Sequence, residues 1–233
     1  PADGAAAAYQ LAVRRPRLLA GKTAIVTAGP TVEPIDSVRF IANHSSGKQG
    51  YAVAAALAAH GAAVTLISGP VNLPPPAYVN RISVQTAEQM LAATQAALPA
   101  DIAVCAAAVA DWRVAGSRHA KLKKPDRGTA EPMQLSLCEN PDILASIAQS
   151  DQRPELVIGF AAETEDLLEN AVAKRQRKQC DWIIANQVGG KADPVFGSDM
   201  NHIMLIGKTA VENWPRMLKT EVADRLAERI AEE

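Results

Sequence analysis

Residues 49–67 read Gln49-Gly-Tyr-Ala-Val-Ala-Ala-Ala-Leu-Ala-Ala-His-Gly-Ala-Ala-Val-Thr-Leu-Ile67. The alanine-rich part, Gln49 to His60, is a run of helix formers, and Gly61 stops it. Ala63 to Ile67 is a short apolar run of strand length, closed by Gly69-Pro70. A strand of the same kind, Thr23-Ala-Ile-Val-Thr27, lies upstream and ends at Gly29-Pro30. Downstream, Arg81 to Gln85 predicts a third strand. Ala87 to Ala97 predicts a helix with Thr86 as N-cap and Glu88 in its first turn, and Ile102 to Cys105 a fourth strand. This βαβαβ alternation predicts a parallel sheet with helices on its faces. The strands are continuous apolar runs, as expected when both sheet faces are covered. Alanine supplies 45 of the 233 residues and aromatics only 4%, so side chains stay small where helices must lie close to a sheet.

The flanks extend the pattern. Residues 1–20 predict a leader or linker: an alanine tract, then Arg14-Arg15-Pro16-Arg17, with no sustained period. A single domain is expected over 21–233. The start at Pro1 fits processing or a piece of a longer polypeptide. Between Arg113 and Leu137 the alternation stops. His119-Ala-Lys-Leu-Lys-Lys-Pro-Asp-Arg-Gly128 is basic and turn-rich, and Met133 to Leu137 predicts a strand pairing with Lys121 to Lys123. Pro141 to Gln149 then predicts a helix, with Asn140 as N-cap and Pro141 in the first helical position. Leu156 to Phe160 is a strand. Thr164 to Lys178 is a helix, acidic at its start and basic at its end, as the helix dipole favours. Trp182 to Ala185 and Asn201 to Ile206 are strands, and Lys219 to Ala231 closes the chain as a helix. The expected fold class is α/β: a Rossmann-like three-layer sandwich with a mainly parallel sheet, plus a protruding hairpin or flap around 113–137.

Composition removes several functional classes. Net charge is -1, from 24 basic and 25 acidic residues, which argues against a strongly basic nucleic-acid module. Apolar content of 48% against 21% charged supports a packed core. Cys105, Cys138 and Cys180 are odd in number, far apart and without a Cys-x-x-Cys pair, which argues against a disulfide framework or a cysteine zinc site. Reduced thiols in the cytoplasm are expected. No apolar run reaches the roughly 18 residues of a membrane span. Ala5 to Ala8 is too short for a signal core, and Arg14, Arg15 and Arg17 follow it rather than precede it. His44, His60, His119 and His202 have no ligand spacing, so neither a zinc site nor a Ser-His-Asp triad is supported.

Six places in the chain carry candidate chemistry. Gly47-Lys48 looks like the end of a P-loop, but Ala42 stands where the first glycine belongs and Gln49 where Ser or Thr belongs. Even so, Ser45, Ser46 and Gly47 precede a helix whose first N–H groups are free, a terminus that attracts a phosphate. A plain N-cap is the alternative. Thr27 to Thr31 follows the first strand, at the carboxyl end where open α/β sheets bind ligands. The Gly-x-Gly-x-x-Gly fingerprint of a dinucleotide oxidoreductase is absent, so a tight turn at Gly29-Pro30 is the plain alternative. In Ala106-Ala-Ala-Val-Ala-Asp111 the small side chains let a ring or sugar approach the backbone. Asp111 suits ribose hydroxyls or a metal there, or else is an ordinary turn residue. Lys121, Lys123 and Lys124 form either a solvated face or a mobile cation for a phosphate. Lys174 and Lys178 share one helix face and can meet one ligand, although with Arg175 and Arg177 they also suit a helix C-terminus. Phe160 is a core residue or a stacking platform.

Taken together these segments resemble the phosphopantothenoylcysteine synthetase family. The similarity is carried by Thr27-Ala-Gly-Pro-Thr-Val-Glu-Pro-Ile-Asp36, Val38-Arg-Phe-Ile-Ala-Asn-His-Ser-Ser-Gly-Lys-Gln-Gly50 and Ala106 to Asp111. Lys121-Leu-Lys-Lys124, Asn140-Pro-Asp-Ile143, Gly159-Phe-Ala-Ala-Glu-Thr164 and Ala185-Asn186 follow in order. It runs from about Gly21 to the C-terminus. The resemblance implies an enzyme joining 4′-phosphopantothenate to L-cysteine with CTP and Mg²⁺, as a homodimer, beside an N-terminal flavin-dependent decarboxylase domain in the bacterial type. It implies CTP contacts at Ala106, Ala107, Asp111, Asn140, Pro141, Asp142, Ile143, Phe160, Lys174 and Lys178. It makes Lys121 the phosphate-facing lysine and Asn43 the residue handling an acyl-cytidylate, with Arg39 near the dimer interface. The other classes open at this point are an NAD(P)-linked oxidoreductase and a non-catalytic nucleotide-binding protein.

Overall fold

The computed structural model describes residues 16–116, 120–122, 134–163, 165–187 and 198–233. The first half follows the alternation: β1 (Thr23–Ala28), β2 (Val32–Pro34), β3 (Phe40–Ala42), α1 (Lys48–Ala59), β4 (Ala63–Ser68), β5 (Val79–Ser83), α2 (Ala87–Ala96) and β6 (Ile102–Cys105). The second half adds β7 (Trp112–Val114), β8 (Leu137–Glu139), α3 (Ile143–Ala148), β9 (Leu156–Glu163), α4 (Leu167–Lys178) and β10 (Trp182–Gln187). It ends with β11 (Met200–Asn201), β12 (Ile203–Ile206), β13 (Val211–Asn213), β14 (Met217–Leu218) and α5 (Lys219–Ala231).

Eight strands form one sheet in the order β13-β12-β10-β9-β6-β1-β4-β5. From β10 to β5 all pairs are parallel, and β12 and β13 add an antiparallel edge. The strands alternate between two cores. Ala24, Val26 and Ala28 of β1 face the layer of α1 and α5, with Val53, Leu57 and Leu226. Ile25 faces the opposite layer, with Met90 of α2 and Ile143 and Ile147 of α3. Farther along that face, Val157 and Ile183 pack with Ala171 of α4. This is a three-layer α/β sandwich on a mainly parallel sheet. Leu19, inside the stretch expected to be a leader, is buried in the first core, and its N–H donates to the His60 carbonyl at 2.9 Å.

Several local expectations are corrected. The segment after β1, for which the sequence predicts no strand, contains an antiparallel pair, β2 with β3. Asn140 does not cap α3. Its Nδ2 donates to Ala110 O at 2.8 Å, and the helix is capped two residues later, where Asp142 Oδ1 accepts from Ala145 N at 3.0 Å. In the expected flap, β8 pairs with β7, residues 112–114, and of the partner expected at Lys121 to Lys123 only residues 121 and 122 are described. Both backbone groups of Leu122 are engaged by Asp36 and Arg39 instead. His119, Lys123, Lys124 and Met133 lie outside the described residues. β9 runs on to Glu163, and α4 starts at Leu167, with Asp166 in the left-handed region at φ 47°. Thr164 lies outside the described residues. Among the described residues, no helix is long and apolar enough to cross a membrane.

Candidate active site

β1 is flanked by β4 on one side and β6 on the other, so the crossovers leave it in opposite directions. Such a switch point opens a crevice beyond the carboxyl ends of the strands. The loop after β6 is stitched to the loop after β1. Ala106 N donates to Thr27 O at 3.1 Å, Ala108 N to Gly29 O at 2.9 Å, Thr31 N to Ala108 O at 3.2 Å and Ala110 N to Thr31 Oγ1 at 2.9 Å. These bonds hold the small residues 106–110 as a floor.

Two lobes of one cleft meet over that floor. The narrower, about 370 Å³, is lined by Ala107, Asp111, Asn140, Pro141, Asp142, Ile143, Phe160, Lys174 and Lys178, with Thr27, Cys105, Trp112 and Glu139. The wider, about 520 Å³, is lined by Asn43, Ser45, Ser46, Gly47, Lys48, Gln49, Ala106, Ala107, Asn186, Asn201 and Lys219. Ala107, Val109, Asp111, Phe160 and Lys174 belong to both walls. Among the described residues, the structure therefore gathers the candidates at Asn43, Ser45 to Gly47, Ala106, Ala107, Asp111, Asn140 to Ile143, Phe160, Lys174 and Lys178 into one cleft, and leaves out Lys121 and Arg39. Lys121 is exposed and lines neither lobe. Arg39 is ion-paired with Asp36, whose side chain is fully buried.

In the narrow lobe, Lys178 is ion-paired with Asp142, and Lys174 Nζ donates to Phe160 O at 3.0 Å. The Lys174 ammonium is pushed below the usual lysine range, first by burial, with Glu163 opposing. Arg113 donates to Asn140 Oδ1 at 3.4 Å, and Asn140 N donates to Asp111 O at 2.8 Å, which ties the rim together. Burial pushes the thiol of Cys105, which lines this lobe, up to about 12, which disfavours its thiolate.

The wide lobe is built on the start of α1. Gly47 caps that helix in the left-handed conformation, φ 72°, and no side chain caps the end. Ser45 Oγ accepts from Gly47 N at 3.3 Å and Ser46 Oγ from Lys48 N at 3.5 Å, so both hydroxyls sit beside the terminus without closing it. Lys48 Nζ is 2.7 Å from Asp199, and Lys219 Nζ donates to Ser198 O at 2.5 Å. Burial, and then the Lys48 charge, lower the pKa of Lys219. The Asp199 carboxyl is held low by its bond to Lys48. Asn43 Nδ2 donates to Val109 O at 3.0 Å, so Asn43 stands where the two lobes join. The lobe thus offers helix N–H groups, two hydroxyls and two ammonium groups to an anion. Among the described residues no three His, Cys, Asp or Glu side chains gather as a metal cage. Asp111 is the carboxylate that lines both lobes.

Lys219, Asn186 and Asn201 were absent from the sequence-derived site. Lysine at the first position of α5 opposes the helix dipole, and that local misfit was the available signal. Asn201 is a buried polar residue at the end of β11, just before the apolar β12, with Nδ2 bonded to Gln49 Oε1 at 3.2 Å.

The family model for the DNA/pantothenate metabolism flavoprotein C-terminal domain matches residues 19–233. The chain is 48% identical over 183 residues to the coenzyme A biosynthesis bifunctional protein CoaBC of Escherichia coli (strain K12), covering 78% of this chain and 44% of that protein. It is 45% identical over 186 residues to the protein of the same name from Vibrio vulnificus (strain YJ016), covering 79% and 46%. It thus spans about half the length of the curated relatives it matches. Its fold is similar to the crystal structure of the C-terminal domain of a coenzyme A biosynthesis bifunctional protein CoaBC. The TM-score is 0.75 at 33% identity, over 93% of this chain and 97% of that one.

Proposed function

The chain belongs to the DNA/pantothenate metabolism flavoprotein C-terminal domain family, and from that membership we propose that it is the ligase joining 4′-phosphopantothenate to L-cysteine in coenzyme A biosynthesis. The activating nucleotide is CTP. The observation that carries this reading is the two-lobed cleft: one lobe suits a nucleoside, the other an anionic acid, and they share the wall of Ala107, Asp111, Phe160 and Lys174.

A carboxylate is a poor electrophile and needs activation. Its oxygen attacks the α-phosphorus of CTP, the bond to the β-phosphate oxygen breaks, and pyrophosphate leaves with the electron pair. The acyl-cytidylate then accepts the cysteine amine at its acyl carbon. The C–O bond to CMP breaks and the amine gives up a proton. No protein nucleophile takes part. Asn140 to Ile143, Phe160 and Lys178 hold the nucleoside in the narrow lobe, with Ala106 and Ala107 small enough to let it lie on the backbone. Ser45, Ser46, Gly47, Lys48 and Lys219 receive the phosphate end of the acid. Lys174 and Lys121 oppose the charge that builds on the phosphoryl oxygens, a contribution that is commonly the largest in such reactions. Asn43 donates to the oxygen of the mixed anhydride; losing one such donor typically costs about 3–4 kcal/mol in the barrier.

The donor set fits Mg²⁺, which prefers few protein ligands together with phosphate oxygens, and Asp111 is the carboxylate that would hold it. The ion, when bound, neutralises triphosphate charge. The reading also carries a cytoplasmic homodimer and a natural fusion to an N-terminal flavin-dependent decarboxylase domain.

The test is an assay with phosphopantothenate, cysteine and Mg²⁺, and either CTP or ATP, following nucleoside monophosphate release. CMP release that depends on cysteine is the expected result. Lys121→Ala is expected to abolish pyrophosphate release, and Asn43→Ala to let the acyl-cytidylate accumulate. No nucleotide turnover with either triphosphate would refute the reading.

A further inference from the structure

Lys121 stands outside both lobes, yet its immediate neighbour is gripped. Asp36 Oδ2 accepts from Leu122 N at 3.0 Å, and Arg39 Nη2 donates to Leu122 O at 2.9 Å. The same Asp36 oxygen accepts from Arg39 Nε at 3.0 Å and from Nη2 at 2.5 Å. Its other oxygen accepts from Val38 N at 2.8 Å and Arg39 N at 2.9 Å.

A turn needs only the second set. Oδ1 closes residues 36–39 locally, as aspartate does in many turns. Oδ2 does more than close the turn: it orders the Arg39 guanidinium and reaches a residue 86 positions away. The Asp36 side chain is fully buried although it carries a charge. Such burial is tolerated only because the charge is matched by donors on every side. The Arg39 guanidinium and the Leu122 N–H hold that carboxyl well below the usual range, so it is ionised throughout neutral pH.

The hairpin that carries this pair is itself fixed to the connection between β5 and α2. Val32 N donates to Gln85 O at 2.8 Å, and the buried Glu33 accepts from Ala87 N at 2.9 Å. Past Arg39 the chain runs through β3 directly into Asn43 and the α1 terminus. One rigid segment therefore carries Asn43 on one side and grips the root of Lys121 on the other.

We propose that Asp36 is a positioning residue for Lys121: with Arg39 it clamps both backbone groups of Leu122 and sets the place of the lysine relative to Asn43 and the cleft. Arg39 acts through this clamp within its own chain. The proposal rests on the ligase reading for the role of Lys121, but the clamp can be tested without it.

Amide hydrogen exchange on the wild-type protein reads the clamp alone. A hydrogen bond to a buried charge is expected to slow exchange of the Leu122 amide by about 10–100-fold against a free amide, and Asp36→Asn to remove that protection. An unprotected Leu122 amide in the wild-type protein overturns the proposal, whatever the chain catalyses. Kinetics read the consequence. Asp36→Asn is expected to lower kcat for pyrophosphate release about 10–100-fold, with little change in KM for CTP. In a Lys121→Ala background it is expected to add less than about twofold, because both changes remove the same contribution. If the two losses multiply, or if Asp36→Asn keeps wild-type kcat, Asp36 does not act through Lys121. If Asp36→Asn does not fold, wild-type exchange decides. Loss of turnover in the wild type refutes the ligase reading and leaves the exchange result standing.

Discussion

Gly50 lies in the first turn of α1, and a Cβ placed on it would sit 2.6 Å from Ala28 Cβ, 3.2 Å from Ala28 Cα and 3.3 Å from Thr27 O. Carbon atoms in ordinary contact are about 3.5–4.0 Å apart, so Gly50→Ala requires the helix terminus to retreat from β1 by roughly 1 Å. Overpacking of that kind costs about 1–3 kcal/mol. The gain in helix propensity returns about 1 kcal/mol. The net loss, about 0–2 kcal/mol, corresponds to a Tm drop of at most about 8 °C for a domain of this size. The functional cost is larger, because the displaced end carries Gly47, Lys48 and Gln49 of the wide lobe. A misplacement near 1 Å typically costs about 100-fold in rate. Thermal unfolding, together with steady-state kinetics varying acid and nucleotide separately, tests this. The expected result is a modest Tm loss, a fall in kcat/KM for phosphopantothenate of about 10–100-fold and a much smaller change in KM for CTP. Wild-type kinetics despite the lowered Tm would refute the link between the α1 terminus and the acid lobe. A raised Tm, the sign expected if helix propensity acted alone, would refute the close packing itself.

Other perturbations separate the parts of the account. Asp142→Ala removes the α3 cap and the partner of Lys178, so it should cost about 0.5–2 kcal/mol of stability and weaken CTP in a binding titration. Unchanged CTP affinity would remove that pair from the nucleotide lobe. The Thr23 N–H and hydroxyl hold the Asp101 carboxyl below its ordinary range. A lowered folded pKa gives stability that is complete above the unfolded value, about 3.9, and is lost as pH falls through and below it. Asp101→Asn should therefore flatten the acid side of a stability-against-pH curve, and an unchanged slope would contradict this. Burial pushes the Cys105 thiol up to about 12 and the Cys180 thiol up to about 11. Neither should be alkylated by iodoacetamide at pH 8 in the native protein, and mass-spectrometric detection of a modified Cys105 without unfolding would contradict that placement.

The parallel half of the sheet was legible because period and punctuation agree there. β1, β4 and β6 are apolar runs, each ended by glycine or alanine turns, and Thr86 caps α2 as expected, with Gln89 closing a capping box. The location of the cleft followed from the same reading, since the ends of β1, β6 and β9 had to share one rim. What escaped was set by tertiary contact. β2 and β3 have three residues each and include Pro34, too short for a period to show. Asn140 and Asp142 are both good caps, and only the bond from Asn140 to Ala110 decides between them. β8 pairs with β7 while Leu122 is bonded to Asp36 and Arg39, long-range choices with no local trace. Lys219 reaches the wide lobe from the far end of the chain because α5 packs on α1.

The central claim is that the cleft takes a pyrimidine nucleoside triphosphate in its narrow lobe and the acid in its wide one. A crystal of the protein soaked with CTP and phosphopantothenate tests it most directly. The account predicts the nucleoside between Asn140–Ile143 and Phe160, within reach of Lys178, with its α-phosphate near Lys174 and the phosphate of the acid at the start of α1. Nucleotide density elsewhere, or the two ligands seated in the exchanged lobes, would contradict it.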